Sequence, residues 1–393
     1  MRSSEKKTVP KPAAPHTVTG AACAYWERRG IATAPAQTLA APSAPLLLLA
    51  TLASAAASAP PGETGRGAVL LPSPCPAWYA TQARLLDRRV RRVATPAECG
   101  GVPDPVALLE TVRRARAEGE RPRVLVLSIA DEVTGTAVPP ELLHEVCEAA
   151  ADEGLLVVSD ESWRDASHDT HGTVTVSPAE MLHDTVYAGS VVVLVELGAA
   201  LLPPGGRAGL ARFPDTERGE ALHAGAAGVL RTLRAEPTAQ AEREAAEALA
   251  EPPALRTRRT ASAALHGALA RALHGAVTAA GAVCRPPRAA RGLYADFEPC
   301  RGELASAGVT DAPRLEAALV SCLGPYVQGG HRFGDDPAAL RVRLSTDALA
   351  AGLPPEAWDA VPAVDPLEEP AVAEALAAAH TALGALTDGS SAR

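Results

Sequence analysis

The sequence predicts an α/β protein in two parts: a large domain on a mostly parallel, doubly wound sheet, and a smaller α+β domain after it. Three observations predict this. Between residues 68 and 159, short apolar runs alternate with amphipathic helical stretches in the order β-α-β-α-β, the pattern of a sheet with helices on both faces. Two of the runs, VLVLSIA (124–130) and LLVVS (155–159), are apolar almost throughout, as parallel strands covered on both sides require. From residue 282 the pattern changes to short strands and loops.

Composition bounds the function. Apolar residues make up 47% of the 393 and aromatics only 3%, so Ala, Leu and Val must fill the core. A net charge of -9 argues against nucleic-acid binding. The apolar run at 44–60 is interrupted by Ser and Thr and bounded by Pro45 and Pro60. It falls short of the ~20 residues of a membrane span and reads as a buried helix. Seven scattered cysteines, none in a C-x-x-C pair, read as reduced thiols of a cytoplasmic protein. Lysine occurs only at Lys6, Lys7 and Lys11.

Residues 1–18 are charged, proline-rich and aperiodic, and read as a disordered tail. An amphipathic helix follows near residues 21–29, with Ala22, Tyr25 and Trp26 on one side. The apolar helix comes next, from Pro45 to about Ser58. Residues 60–67 (PPGETGRG) form a turn-rich loop. A strand at 68–74, a helix at 77–87 and a strand at 89–95 lead to Asp104 and Pro105, the N-cap and first residue of a helix that Gly119 stops. The next helix starts at Pro139 and Pro140, carries Leu142, Leu143, Val146, Cys147 and Ala150 on one stripe, and ends at Gly154. Beyond residue 159 come a short helix near 179–182 and strand-like segments at 186–195 and 208–213. Residues 217–280 are helical with breaks at Pro237 and at Pro252-Pro253, and the last section is long enough to bridge two domains. The expected division is a large domain over 19–264 and a small one over 265–393, closed by an amphipathic helix at 368–386.

Ligands of doubly wound domains gather at the carboxyl ends of the strands. The segment LLVVSDESWRD (155–165) ends a strand on Ser159, Asp160 and Glu161. In VVVLVELGAALLPPGGRAGLARFP (191–214) a second run leads to Gly198, Ala199 and Ala200, and Arg207 follows eight residues past Ala199. With YWERRGI, the loop ending in VTGT, GLYADFEP and FGDDPAALRVRLST, these segments resemble the class I/II aminotransferases from about Ala22 to Leu349. Those are the fold type I pyridoxal 5′-phosphate (PLP) enzymes. The resemblance implies a PLP-binding large domain, a small domain that closes on substrate, and a homodimer with shared active sites. It also makes the chain several dozen residues short at its N-terminus, where such proteins carry part of the small domain and the substrate gate.

Carried over residue by residue, the resemblance places Asp160 where the family's aspartate pairs with the pyridine N–H. Arg207, behind Gly205 and Gly206, falls where an arginine holds the phosphate. Ser43 survives from the phosphate loop, now Ala40-Ala41-Pro42-Ser43-Ala44. Glu132 replaces the asparagine that contacts the ring hydroxyl, and Trp163 replaces a tyrosine. Pro76 stands near the stacking aromatic's position, with Trp78 and Tyr79 close by as substitutes. Arg343 falls where the substrate carboxylate is bound. The plain alternatives are a turn-capping Asp160, a solvated Arg207 and a surface strand arginine at 343. The lysine that forms the imine falls on Ala199, so no catalytic residue is expected, and PLP, implied by the resemblance, is held non-covalently if held.

Three readings follow. One is a degenerate aminotransferase that binds a small carboxylate, an amino-acid-like ligand or a partner in the old cleft. Another is an enzyme using the remodelled pocket without a Schiff-base lysine. The third is a conventional PLP-dependent transaminase. His168 and His171 lack a third ligand, so no metal site is expected.

Overall fold

The computed structural model describes residues 17–57, 67–96, 99–169, 172–203, 205–353 and 365–387. The tail expected over 1–18 lies outside them except for its last two residues. There, Thr17 caps the first helix by accepting the Gly20 N–H. The loop expected at 60–67 lies outside them except for Gly67.

The chain begins with α1 (Val18–Glu27), β1 (Thr38–Ala41), α2 (Ala44–Ala57), β2 (Ala68–Ser73), α3 (Ala77–Leu85) and β3 (Val90–Ala94). Then come α4 (Pro105–Ala117), β4 (Pro122–Ser128), α5 (Pro140–Asp152), β5 (Leu156–Asp160), α6 (Pro178–Met181), β6 (Val191–Glu196) and β7 (Gly209–Arg212). Three helices follow: α7 (Glu217–Leu233), α8 (Ala239–Leu249) and α9 (Pro253–Ala279). The rest is β8 (Val283–Cys284), β9 (Gly292–Asp296), α10 (Arg301–Ser306), α11 (Ala312–Leu323), β10 (Val327–Gly329), β11 (Arg341–Ser345), α12 (Asp347–Ala350) and α13 (Pro370–Thr387).

Seven strands form one sheet in the order β1-β7-β6-β5-β4-β2-β3. Strand β7 runs antiparallel to both its neighbours, and the other pairs are parallel. Alternate residues of a strand face opposite sides, and the packing follows that period. Val124, Val126, Leu156, Val158, Val192 and Leu194 pack with α2, α3 and α7. Leu125, Leu127, Val157, Val191, Val193 and Val195 pack with α1, α4, α5 and α8. Each such buried side chain contributes about 1.5–3 kcal/mol. The apolar run at 44–60 is α2, with Leu47, Leu48 and Leu52 fully buried.

Two details differ from the sequence expectation. The strand expected from residue 186 starts only at Val191. Val186 is exposed, and a 3-10 turn over Ala188–Ser190 intervenes, closed by the Ser190 N–H on the Tyr187 carbonyl. Strand β1 was not expected at all.

The second sheet is antiparallel, in the order β10-β11-β9-β8. Helix α9, 27 residues and roughly 40 Å long, serves both layers. Leu255 belongs to the core under the large sheet, while Leu265, Leu269, Leu273 and Val277 belong to the core under the small one. The two bodies also meet backbone to backbone. Gly135, at φ +69, lies so close to Gly292 that an added Cβ would stand 2.0 Å from the Gly292 carbonyl oxygen. The Gly135 carbonyl accepts the N–H groups of Arg288 (2.6 Å) and Ala289 (3.0 Å).

Candidate functional site

The register Ser128↔Asp160 and Asp160↔Leu194 brings the carboxyl ends of β4, β5 and β6 to one edge. By strand alternation, Asp160 and Glu196 share the face that α2 and α3 cover. Both oxygens of Asp160 are engaged. Oδ1 accepts from the Ser162 N–H (3.0 Å) and hydroxyl (2.5 Å), and Oδ2 accepts from the Tyr79 hydroxyl (2.7 Å). Burial pushes the Asp160 carboxyl up to about 6, although these hydrogen bonds pull it down. Ser162 Oγ also accepts the Glu196 N–H at 2.9 Å, so the strand ends are stitched together.

The Glu196 carboxylate lies across the start of α2. Oε2 accepts the Ala44 N–H (2.8 Å), and Oε1 accepts the Ala208 N–H (3.3 Å). The Gly198 N–H also bonds to it. Burial raises its pKa, and the three backbone donors oppose the rise. Ser43 sits beside this contact and is half-buried.

Of the other sequence-selected residues, Glu132, Trp163 and Arg343 meet in one hydrogen-bonded group, and Arg207 stands apart. Glu132 accepts the Trp163 Nε1–H (3.1 Å). Arg343 donates from Nε to the Glu132 carbonyl (3.1 Å) and from Nη1 to Gln328 Oε1 (3.2 Å). Arg207 is exposed. Next to this edge Asp131 is fully buried, and burial lifts it to about 7, helped by the charges of Glu132 and Asp160.

These two carboxyls give a pH prediction. Their folded pKa values lie above the ordinary 3.8, so the folded chain binds more protons than the unfolded one between about pH 4 and pH 7. The stability they contribute is therefore lost as pH rises through that window. Asp131→Asn keeps an acceptor for the Val133 N–H and removes the larger shift. It is expected to flatten the fall, a gain on the order of 4 kcal/mol at pH 8. Urea unfolding at pH 4 and pH 8 measures this; an unchanged pH slope in the variant rules it out.

A cleft of about 710 Å³ opens outward from this edge, between the two sheets and α9. Trp163, Gly198, Ala199 and Ala200 line it from the large sheet, and Arg291, Tyr326 and Asp347 from the small one. Arg258, Arg259, Ser262 and His266 line it from α9. Asp160, Glu196, Ser43, Glu132, Arg207 and Arg343 do not line it. Three arginines face one aspartate there, and His266 is neutral at pH 7 because burial holds it near 3. The lining therefore carries more arginine than carboxylate, and each arginine is already engaged. Arg258 donates to the Leu201 carbonyl (2.9 Å), Arg259 to Glu251 (2.6 Å), and Arg291 pairs with Asp347 (3.4 Å).

The residues that sequence reasoning missed are Glu196, Ser162, Asp131 and the arginines of α9. Tyr79 was noted only for its nearness to Pro76. His168 packs against the Ala290 carbonyl (2.8 Å), and His171 lies outside the described residues. Among the described residues no group of three or more His, Cys, Asp or Glu could hold a metal ion, and no helix is long and apolar enough to cross a membrane. All seven cysteines are free thiols.

A seven-stranded sheet with one reversed strand, a small antiparallel sheet and a cleft at the carboxyl edge between them define a fold type I α/β protein. Residues 48–351 match the family described as Aminotransferase class I and II, and the chain belongs to that family. Among solved structures it is similar to a tetra mutant of Thermus thermophilus aspartate aminotransferase (21% identity, TM-score 0.72, 93% of this chain and 85% of that one). It is also similar to the Thermus thermophilus aspartate aminotransferase with maleate (22%, 0.71, 93% and 81%). The aromatic aminotransferase from Pyrococcus horikoshii is a third (16%, 0.70, 93% and 85%). At these identities the likeness is one of fold. No curated protein matches the chain.

Proposed function

We propose that this chain keeps the aminotransferase fold, does not carry out PLP chemistry, and takes a small acidic ligand in the cleft between its two sheets. The family normally uses PLP, and the residues here do not fit that group. The observation that carries the reading is the cleft wall itself. Ala199, which the resemblance puts at the imine-forming lysine, lines the cavity, and no lysine follows Lys11 in the sequence. A methyl group can neither form an imine nor move a proton. Asp160, the residue meant for the pyridine nitrogen, has both oxygens bonded to the protein and does not reach the cavity.

What supports an acidic ligand is the excess of arginine in the lining, with Trp163 and Tyr326 offering flat apolar faces. Guanidinium groups are suited to carboxylates, which they bind in paired geometry. Maleate, present with the Thermus enzyme, is a suitable probe.

Titration with PLP, followed by visible absorption and by borohydride reduction with peptide mass mapping, is expected to give no saturable complex. Maleate is expected to raise the melting temperature; at one hundred times its Kd the stabilisation is about 2.7 kcal/mol. Arg258→Ala with Arg291→Ala is expected to abolish that rise. A saturable visible band with PLP, or an adduct on Lys6, Lys7 or Lys11 at one equivalent, overturns the first half of the reading. A maleate response that survives the double substitution overturns the second.

A further inference from the structure

The first N–H groups of a helix have no partner inside it and carry the positive end of its dipole. Such a terminus is a ready anion site. In α2 that site faces the carboxyl edge of the large sheet and already holds an anion, the chain's own. Glu196 Oε2 takes the Ala44 N–H at 2.8 Å, Oε1 takes the Ala208 N–H at 3.3 Å, and the Gly198 N–H completes the set.

Two glycines make the approach possible. A Cβ on Gly209 would stand 2.3 Å from the Ser43 carbonyl carbon, so only glycine lets α2 begin directly against β7. A Cβ on Gly198 would stand 2.5 Å from the Gly206 carbonyl oxygen, so the loop after β6 folds back over the carboxylate only with glycine there. Alongside, the Tyr79 hydroxyl holds the Asp160 carboxylate, donating to Oδ2 at 2.7 Å from a side chain only 1% exposed.

We infer that Glu196 is an internal substitute for the phosphate of the family's cofactor. The carboxylate takes the backbone donors that a phosphate would use. The inner site is closed because its hydrogen bonds are satisfied from within. An incoming phosphate would meet a carboxylate already on its donors, and the two anions repel. The inference goes beyond the proposed function, because it concerns the inner edge of the sheet and not the arginine-lined cleft outside it.

Isothermal titration with inorganic phosphate, PLP and pyridoxal tests it, on chains whose outer cleft is silenced by Arg258→Ala with Arg291→Ala and whose residue 196 is wild type, Glu196→Ser or Glu196→Gln. The chain that keeps Glu196 is expected to bind none of them saturably. Glu196→Ser, which shortens the side chain and removes the charge, is expected to bind phosphate at least tenfold more tightly than the chain that keeps Glu196, and PLP more tightly than pyridoxal. Glu196→Gln, whose amide still fills the space, is expected to show no gain. Saturable phosphate binding by the chain that keeps Glu196, or a folded Glu196→Ser without gain, overturns the inference. If Glu196→Ser does not fold, amide exchange in wild type decides. The Ala44, Gly198 and Ala208 amides are expected to be protected without any added anion, and free exchange at all three overturns it. A missing gain in Glu196→Ser leaves the cleft reading intact, whereas PLP binding by the chain that keeps Glu196 defeats both.

Discussion

Glu251→Ala is expected to destabilise the protein by about 1.5–3 kcal/mol, because it removes the buried carboxylate that three arginines share and leaves the half-buried Arg29 and Arg259 with Asp165 alone. The Glu251 carboxylate receives Arg28 (2.9 Å) and Arg29 (3.1 Å) on Oε2, and Arg29 (2.9 Å) and Arg259 (2.6 Å) on Oε1. Arg29 also binds both oxygens of Asp165 at 2.8 Å and lies 3.6 Å from the centre of the Tyr25 ring. Burial alone would raise the Glu251 pKa, but hydrogen bonds from Arg29, Arg259 and Arg28 hold it at about 2. Its contribution is thus complete above the unfolded value of 4.5 and is lost as pH falls toward 2. Glu251→Gln keeps two acceptor or donor atoms in place and is expected to cost less than the alanine. Urea unfolding of the three proteins at pH 7 measures this. An alanine variant within 1 kcal/mol of wild type would mean that the cluster is a solvated surface network.

Gly135→Ala is expected to cost about 2–5 kcal/mol. A left-handed backbone contributes part of that, and the new Cβ, placed 2.0 Å from the Gly292 oxygen, contributes the rest by forcing the two bodies apart. Gly154→Ala separates the two terms. Gly154 is also left-handed, at φ +74, but a Cβ there meets nothing within 4 Å, so only the backbone cost of about 1 kcal/mol applies. Equal losses at the two positions would show that the contact between the sheets yields without strain. Limited proteolysis gives a second reading, because separation of the bodies is expected to speed cleavage near residues 285–292 in the Gly135 variant alone.

The large sheet was legible where burial is total. Val124, Leu125, Val126 and Leu127 have to be apolar because both faces of β4 are covered, so the run announces itself. Helix α4 was legible from its ends: Asp104 accepts the Ala107 N–H at 3.0 Å and Gly119 takes φ +80. Strand β1 was not legible, because TLAA is short, small in side chain and paired on one side only, to β7. At the site, Asp160 stood out as a carboxylate ending a buried strand. Glu196 ends β6 in the same way and was passed over, although VVVLVE carries the signal that LLVVSD does. Its partners, the backbone N–H groups of Ala44, Gly198 and Ala208, have no residue type to betray them. The link between Arg28 and Glu251 spans 223 residues, and no local pattern encodes it. Arg207 misled in the other direction: its spacing from Ala199 is suggestive, but its side chain points to solvent.

Helix α9 joins the two cores with one uninterrupted rod. Leu255 anchors it under one sheet and Leu265 under the other, and Ser262, Ala263 and His266 form the cleft wall at and beside the second anchor. The splint between the two cores and the wall of the cleft are thus adjacent turns of the same helix, so a substitution that shifts one shifts the other.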